Sequence, residues 1–251
     1  MLNSDAFAQQ GVATNAVLTP NKEIQAFLRS LLSPNEREMF AGTQDQLTTR
    51  LEQLKRVAER EECNLVVELL HFSMQSESMR EGMLPGVLIE QLKISKENIA
   101  RGLIPILDTD DQGLREKCRN WLGEVEANDS VQGPDFSIYE SIIRGNKTNV
   151  PRGLTMHMYD TDAETALRSF ASVYLEEAEA EALADSVRAR DDAESLDQLS
   201  RRADWWAQLY VIEKMRKNPQ LRSAVVLERL SKSRDTLVQE SIRDLEQTDL
   251  E

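Results

Sequence analysis

The chain contains two histidines, the side chains best suited to move a proton near neutral pH. His71 precedes Phe72 in an apolar run, and His157 lies between two methionines. Because a general base needs a positioned partner, these neighbours favour a packing or surface position for both histidines. Neither Cys-x-x-Cys nor His-x-x-x-His occurs, so no zinc site is indicated. We predict no catalytic residue, no metal and no cofactor, and the sequence favours a protein that is not an enzyme without deciding the question.

Other chemical motifs are equally scarce. The glycine-rich phosphate-binding motifs and the nucleophile elbow do not occur. The stretch Asp108–Gly113 is similar to the start of a calcium loop, but the twelfth position is Arg119, where calcium requires a glutamate. The same residues are better explained by the internal repeat described below.

Composition indicates an all-α protein. Of 251 residues, 40% are hydrophobic and only 5% are aromatic, with 10 glycines and 7 prolines. Leucine, glutamate, alanine, arginine and glutamine dominate, and all favour helices. Helix-start signals precede segments with a period of 3.6 residues. We assign these signals to Thr19-Pro20, Ser33–Glu36, Thr43–Gln46, Asn64 and Ser95.

The chain divides into four predicted parts. Residues 1–18 read as a disordered leader, and 19–126 as N-terminal helical repeats. Residues 127–150 form a loop-rich connection around a short helix at 138–144, and 151–251 form C-terminal helical repeats.

Several features bear on the compartment. Cys63 and Cys118 are too few for a disulfide framework, and we expect both to be buried, reduced thiols. No apolar run is long enough to span a membrane. Ala6-Phe7-Ala8 imitates a signal-peptidase site, but Met1–Asp5 supplies neither a basic nor an apolar region. We predict a cytoplasmic protein, with export only if a preceding signal was trimmed.

Two segments of the chain repeat each other. RGLIPILDTDDQGLR begins at Arg101, and RGLTMHMYDTDAETALR begins at Arg152. Weaker copies begin near Leu69 and Val225. Each copy reads as a helix, a polar turn and a second helix that needs a small residue at the Cys118 position. One helix pair cannot bury its apolar face alone, so such repeats stack on one another.

The pattern Leu/Ile-x-x-Leu, Asp-x-Asp-x-x-x-Leu-Arg resembles the HEAT repeat, best at Leu103–Val125. The resemblance implies a right-handed α-solenoid, a superhelix of antiparallel HEAT-like helix pairs. It also implies that the turn aspartates and helix arginines build a polar ladder between neighbouring pairs. The matching residues are Asp108, Asp110, Arg115, Asp160, Asp162 and Arg168.

Tryptophan and charge suggest where a partner would bind. Trp205 and Trp206 diverge by about 100° on a helix, so we expect one in the core and one partly exposed. Residues 201–243 carry ten basic and five acidic side chains, whereas 176–194 carry eight acidic and two basic ones. The candidate partner-binding residues are Trp205, Trp206, Arg201, Arg202, Arg216 and Lys217.

The favoured function is a non-enzymatic scaffold that binds a protein through the concave helical surface. The alternative is a HEAT-like nucleic-acid-binding module or DNA-repair glycosylase that uses Trp205, Trp206 and the basic C-terminal region. A net charge of −14 argues against nucleic acid and against anionic membranes as partners. HEAT-like repeats also occur in phycobilin lyases, but no residue here selects a chromophore.

Overall fold

The computed structural model describes residues 20–32, 44–127, 133–189 and 192–247, and all regular secondary structure in these ranges is helical. The predicted all-α class is therefore confirmed. None of the described helices combines the length and apolar character that a membrane span requires. The chain divides into two compact units between Val125 and Glu126.

The first unit is built around one long helix. Its helices are α1 (Lys22–Ser30), α2 (Gln44–Met74), α3 (Met79–Leu92), α4 (Lys96–Leu103), which continues as a 3-10 turn (Ile104–Asp108), and α5 (Gln112–Glu126). Helices α1, α3 and α4 all pack against α2. Residues 65–73 of α2 are consequently buried on every side.

Two contacts position α1 and α4 against α2, one a hydrogen bond and the other a close backbone approach. Gln25 of α1 donates from Nε2 to the carboxylate of Glu68, 2.7 Å away. Gly102 of α4 lies so close to α2 that an added Cβ would stand 2.5 Å from the carbonyl oxygen of Cys63. Any larger residue at position 102 would therefore push α4 away from α2.

The second unit is built around two central helices. Its helices are α6 (Ser137–Gly145), α7 (Arg152–Thr161), α8 (Ala163–Tyr174), α9 (Glu177–Ala189), α10 (Ala193–Ser200), α11 (Trp205–Lys217), a 3-10 turn (Pro219–Leu221), α12 (Ala224–Ser231) and α13 (Thr236–Gln247). Helix α8 packs against α6, α7, α9 and α11, and α11 packs in addition against α7, α10 and α13. Both central helices are apolar on most of their surface.

The helix boundaries agree with several sequence signals. Ser95 caps α4, since its hydroxyl accepts a hydrogen bond from the backbone of Asn98. A helix spans Ser137–Gly145, where the short helix was predicted. The turns of the four repeat copies also fall between helices, at 75–78, 109–111, 162 and 232–235.

Other predictions were wrong. Asn64 does not begin a helix, because it lies inside the continuous helix α2. Asn21, rather than Thr19, caps α1 by accepting from the backbone of Glu23 and Ile24. Cys118 is a buried free thiol as expected, but Cys63 is only half-buried. The leader 1–18 and the capping box Ser33–Glu36 lie outside the described residues.

The residues of the predicted polar ladder make local contacts. Asp162 caps α8 by accepting from the backbone of Thr165 at 2.8 Å. Arg115 donates to the carbonyl of Thr109 in its own turn at 2.9 Å. Arg168 pairs with the residue one turn earlier, Glu164. In the described part of the chain, both arginines therefore interact within their own helix pair, and the ladder between pairs stays a prediction.

Candidate partner-binding groove

A surface groove of about 340 Å³ lies between α9 and α10 in the second unit. Helix α9 packs against α8, whereas α10 packs against α11 and α12, so different helices support the two walls. The lining residues come from both helices and the turn that follows α10. They are Leu183, Ser186, Val187, Ser195, Gln198, Leu199 and Arg202.

The sequences of the two helices explain the apolar floor. In α9, Leu183 and Val187 are four residues apart among alanines and carboxylates, so they share one face. Leu199 of α10 meets them from the other wall. All three side chains are almost fully buried, so the floor is part of the core.

The rim of the groove is polar, and some of its polar groups make no hydrogen bond to the described residues. The hydroxyl of Ser186 donates to the carbonyl of Leu183 at 2.8 Å, as exposed helical serines often do. Among the described residues, the hydroxyl of Ser195 and the amide of Gln198 have no hydrogen-bond partner. These groups are free to donate to, or accept from, the main chain of a bound segment.

Arg202 closes one end of the groove. Its Nη2 donates to Glu179 of α9 at 3.1 Å, and its Nε donates to Asp204 at 2.7 Å. Burial acts to lower the pKa of Arg202, but the hydrogen bonds that Arg202 donates to Asp204 and Glu179 outweigh this effect, and the pKa is raised. The guanidinium is thus a permanent cation, and two carboxylates compensate it.

The segment of the sequence that forms the groove is rich in carboxylates. Residues 176–202 contain nine acidic and four basic side chains. By helical spacing, Glu179 shares the side of α9 that carries Leu183, and Glu176 immediately precedes this helix. Two of the arginines, Arg201 and Arg202, are engaged in ion pairs with neighbouring carboxylates. The local charge is therefore negative.

The two tryptophans predicted to bind a partner pack against aromatic side chains of the second unit. Trp206 is 1% exposed and stacks on Tyr174 with ring centroids 6.3 Å apart. Trp205 is half-buried and meets Phe170 edge-on at 5.2 Å. The expected division into one core and one partly exposed ring is confirmed. Both rings fix α11 against α8, because edge and stacked aromatic pairs add to the burial energy.

The predicted basic residues do not form one surface. Arg201 pairs with Asp197 at 2.6 Å, and Arg216 pairs with the buried Glu213. Position 216 lies ten residues beyond Trp206 on α11, which is about 15 Å along the helix axis. Lys217 is exposed at the same far end. Of the six predicted residues, only Arg202 lines the groove.

The carboxylate of Asp197 links α10 to α12. It accepts hydrogen bonds from Arg229 at 2.8 Å and from Arg201 at 2.6 Å. These two hydrogen bonds lower the pKa of Asp197 below its ordinary value. The ten basic residues at 201–243 thus include five that pair with acidic residues of the same unit, namely Arg201, Arg202, Arg216, Arg229 and Lys232.

His157 lies in a buried polar cluster that the sequence did not reveal. Its Nε2 is 2.6 Å from Oε1 of Glu126, and the hydroxyl of Tyr139 donates to the same oxygen. Tyr139, Glu126 and His157 are 0, 1 and 3% exposed. A substrate cannot reach them, so the cluster is a buried structural contact within the second unit, which begins at Glu126. His71 is also buried, in agreement with a packing position.

Within the described ranges, no group of three or more histidine, cysteine, aspartate or glutamate side chains could hold a metal ion. Comparison of the chain with protein-family models, curated proteins and solved structures found no match. The similarity to HEAT repeats consequently depends on the sequence pattern alone.

Apart from Arg202, the groove residues were not predicted, because their apolar spacing is shared by any amphipathic helix. Leu183 and Val187 were visible as an apolar pair inside an acidic segment. Their meeting with Leu199 depends on how α9 and α10 are placed by other helices. The excess of carboxylates at 176–194 was the one visible sign that this surface differs from its surroundings.

Proposed function

We propose that the chain is a non-enzymatic HEAT-like scaffold that binds a protein partner, with the groove between α9 and α10 as the docking site. The observation that carries the proposal is an accessible groove with an apolar floor and unused polar groups on its rim. Such sites bind apolar side chains of a partner and orient its main chain through a few hydrogen bonds. The concave surface of the scaffold would contain this groove.

A protein partner is favoured over nucleic acid. Nucleic-acid affinity depends on cations that can release counterions from phosphates. Here Arg201, Arg202, Arg216 and Arg229 are paired with carboxylates of the same unit. Of the two tryptophans that a stacking platform would require, Trp206 is buried in the core and Trp205 is half-buried with its ring packed edge-on against Phe170. The groove instead lies among excess negative charge.

The solenoid is part of the same proposal. We propose that the helix-turn-helix copies are antiparallel HEAT-like pairs and that they stack as a right-handed superhelix. The positions of the four turns support this interpretation. Small-angle X-ray scattering tests the solenoid, because a superhelix is elongated. A globular protein of the same length has a radius of gyration of about 18 Å. A scattering curve of a compact sphere would overturn the solenoid.

Site-specific photocrosslinking tests the docking site. A benzophenone amino acid is placed at Ser195 on the groove, and at Ser231 of α12 as the matched control. Both chains are incubated with a lysate of the source organism, with and without nuclease treatment. Adducts are identified by mass spectrometry, and each captured protein is then purified and titrated against the unmodified chain.

We expect a protein that crosslinks from position 195, not from position 231, and that binds in purified form. Equal crosslinking from both positions would refute the groove as the docking site. Adducts that vanish with nuclease would refute the protein partner and favour the nucleic-acid alternative.

A further inference from the structure

The groove between α9 and α10 has a chemical character that restricts its occupant. Its floor is apolar, through Leu183, Val187 and Leu199, while the helices that form its walls are rich in carboxylates. An occupant must therefore supply apolar side chains to the floor and must tolerate negative charge on both sides.

The size of the groove indicates how much of the partner enters it. A volume of about 340 Å³ is near the lower end of the range for ligand pockets, about 300–1,000 Å³. It has room for one or two large side chains and not for a whole helix. Anchors spaced by three or four residues on an amphipathic helix fit such a site, with the helix lying across the opening.

The charges around the groove select the flanking residues of that helix. Nine carboxylates and four arginines lie between positions 176 and 202. Among the described residues, Arg202 is the arginine that lines the groove, and it is paired with Glu179 and Asp204, so it offers little charge to a partner. Glu176, which precedes α9, and Glu194, which precedes the lining residue Ser195, are both exposed. Like charges brought together at an interface weaken binding, whereas opposite charges speed association.

We propose that the groove binds a basic amphipathic helix, whose leucine-like anchors enter the groove and whose lysine or arginine side chains face the surrounding carboxylates. This inference depends on the proposed docking function and adds the class of partner. Opposite charges on the two surfaces are what favour this occupant over a second copy of the chain, which is itself strongly acidic.

The test uses the full chain and three fluorescent helical peptides of about 18 residues, or five turns. They share one leucine pattern with a period of 3.6 and carry lysine, glutamine or glutamate at the polar positions. A fourth peptide has the lysine composition with a scrambled leucine pattern. Fluorescence anisotropy gives Kd for each, at low and at raised salt.

Two pairs of variants locate the binding. Ser195→Phe fills the groove from its rim without removing a core residue, and Ser231→Phe places the same ring on α12. Glu176→Gln combined with Glu194→Gln removes two charges beside the groove, and Glu228→Gln combined with Glu246→Gln removes two charges elsewhere in the second unit. Circular dichroism verifies that each variant is folded.

We expect the leucine/lysine peptide to bind about tenfold more tightly than the leucine/glutamine peptide, and the leucine/glutamate peptide to bind weakest. Ser195→Phe should weaken binding about tenfold and Ser231→Phe should not. The double substitution beside the groove should weaken binding about threefold and reduce its salt dependence, whereas the control pair should leave both unchanged.

Three outcomes would overturn the inference. If the glutamine peptide binds as tightly as the lysine peptide and Ser195→Phe blocks both, the groove docks a partner but does not select charge, and only this inference fails. If the lysine peptide binds equally well to Ser195→Phe, or if the scrambled peptide matches it, the attraction is not a property of the groove. If no peptide binds, a basic helix is excluded as the class of partner, and the crosslinking experiment still decides the docking function.

Discussion

Tyr139 and Tyr159 offer a matched test of the buried polar cluster around Glu126. Both are at most 1% exposed and lose only a hydroxyl on substitution by phenylalanine. The hydroxyl of Tyr139 donates to the carboxylate of Glu126, which also contacts His157. The hydroxyl of Tyr159 donates to the backbone carbonyl of Trp206 at 2.6 Å. The two substitutions therefore differ mainly in the charge of the acceptor.

The charge of the acceptor determines how much stability each substitution is expected to remove. A hydrogen bond to a charged group contributes about 1.5–3 kcal/mol and a neutral one about 0.5–1.5 kcal/mol. In addition, Oε2 of Glu126 has no hydrogen-bond partner in the described part of the chain, so this carboxylate depends on the contacts at Oε1. We expect Tyr139→Phe to destabilise the second unit by about 2 kcal/mol and Tyr159→Phe by about 1 kcal/mol.

Urea unfolding followed by tryptophan fluorescence provides the assay. Trp121 belongs to the first unit, so a Trp121→Phe background restricts the signal to Trp205 and Trp206 in the second. With a slope of about 1–3 kcal/mol per molar urea, a loss of about 2 kcal/mol moves the midpoint by roughly 1 M. A cost for Tyr159→Phe equal to or above that of Tyr139→Phe would refute the charge-assisted assignment.

Two further predictions concern packing and pH. Gly102→Ala should cost about 1–3 kcal/mol because its Cβ would collide with the backbone of α2, whereas Gly123→Ala, with open space around it, should gain about 0.5–1 kcal/mol; thermal unfolding by circular dichroism measures both, and equal midpoints would contradict the close approach. Burial raises the pKa of Glu213, against the opposing effect of Arg216. The fold thus favours the protonated form of Glu213. The stability that this protonated carboxyl contributes is fully present below its pKa in the unfolded chain and is lost as pH rises through its pKa in the folded chain. Glu213→Gln, which mimics that form, should raise the unfolding midpoint at pH 7 and have no effect at about pH 4; a lower midpoint at pH 7 would show that the pairing with Arg216 outweighs the cost of burial.

The sequence by itself determined the features that depend on neighbours within a few residues. The all-helical class follows from composition and the 3.6-residue period. The cap at Ser95 needs only the backbone of Asn98, three residues later. The different burial of Trp205 and Trp206 follows from the 100° rotation between adjacent helical positions.

Local sequence signals gave wrong predictions where the free energy of tertiary packing exceeded the local preference. Asn64 has the side chain of a helix cap, yet it lies inside α2, because the apolar residues around it are buried by α1, α3 and α4 and the helix continues through it. A capping preference of about 1 kcal/mol cannot compete with that burial.

Only the tertiary structure decided which distant residues meet. His157 and Glu126 are 31 residues apart, and Arg229 and Asp197 are 32 apart. Their contacts depend on how α8 and α11 orient the helices around them, and no local period encodes that. The groove exists for the same reason, since α9 and α10 are supported from behind by different helices and leave an apolar floor between them.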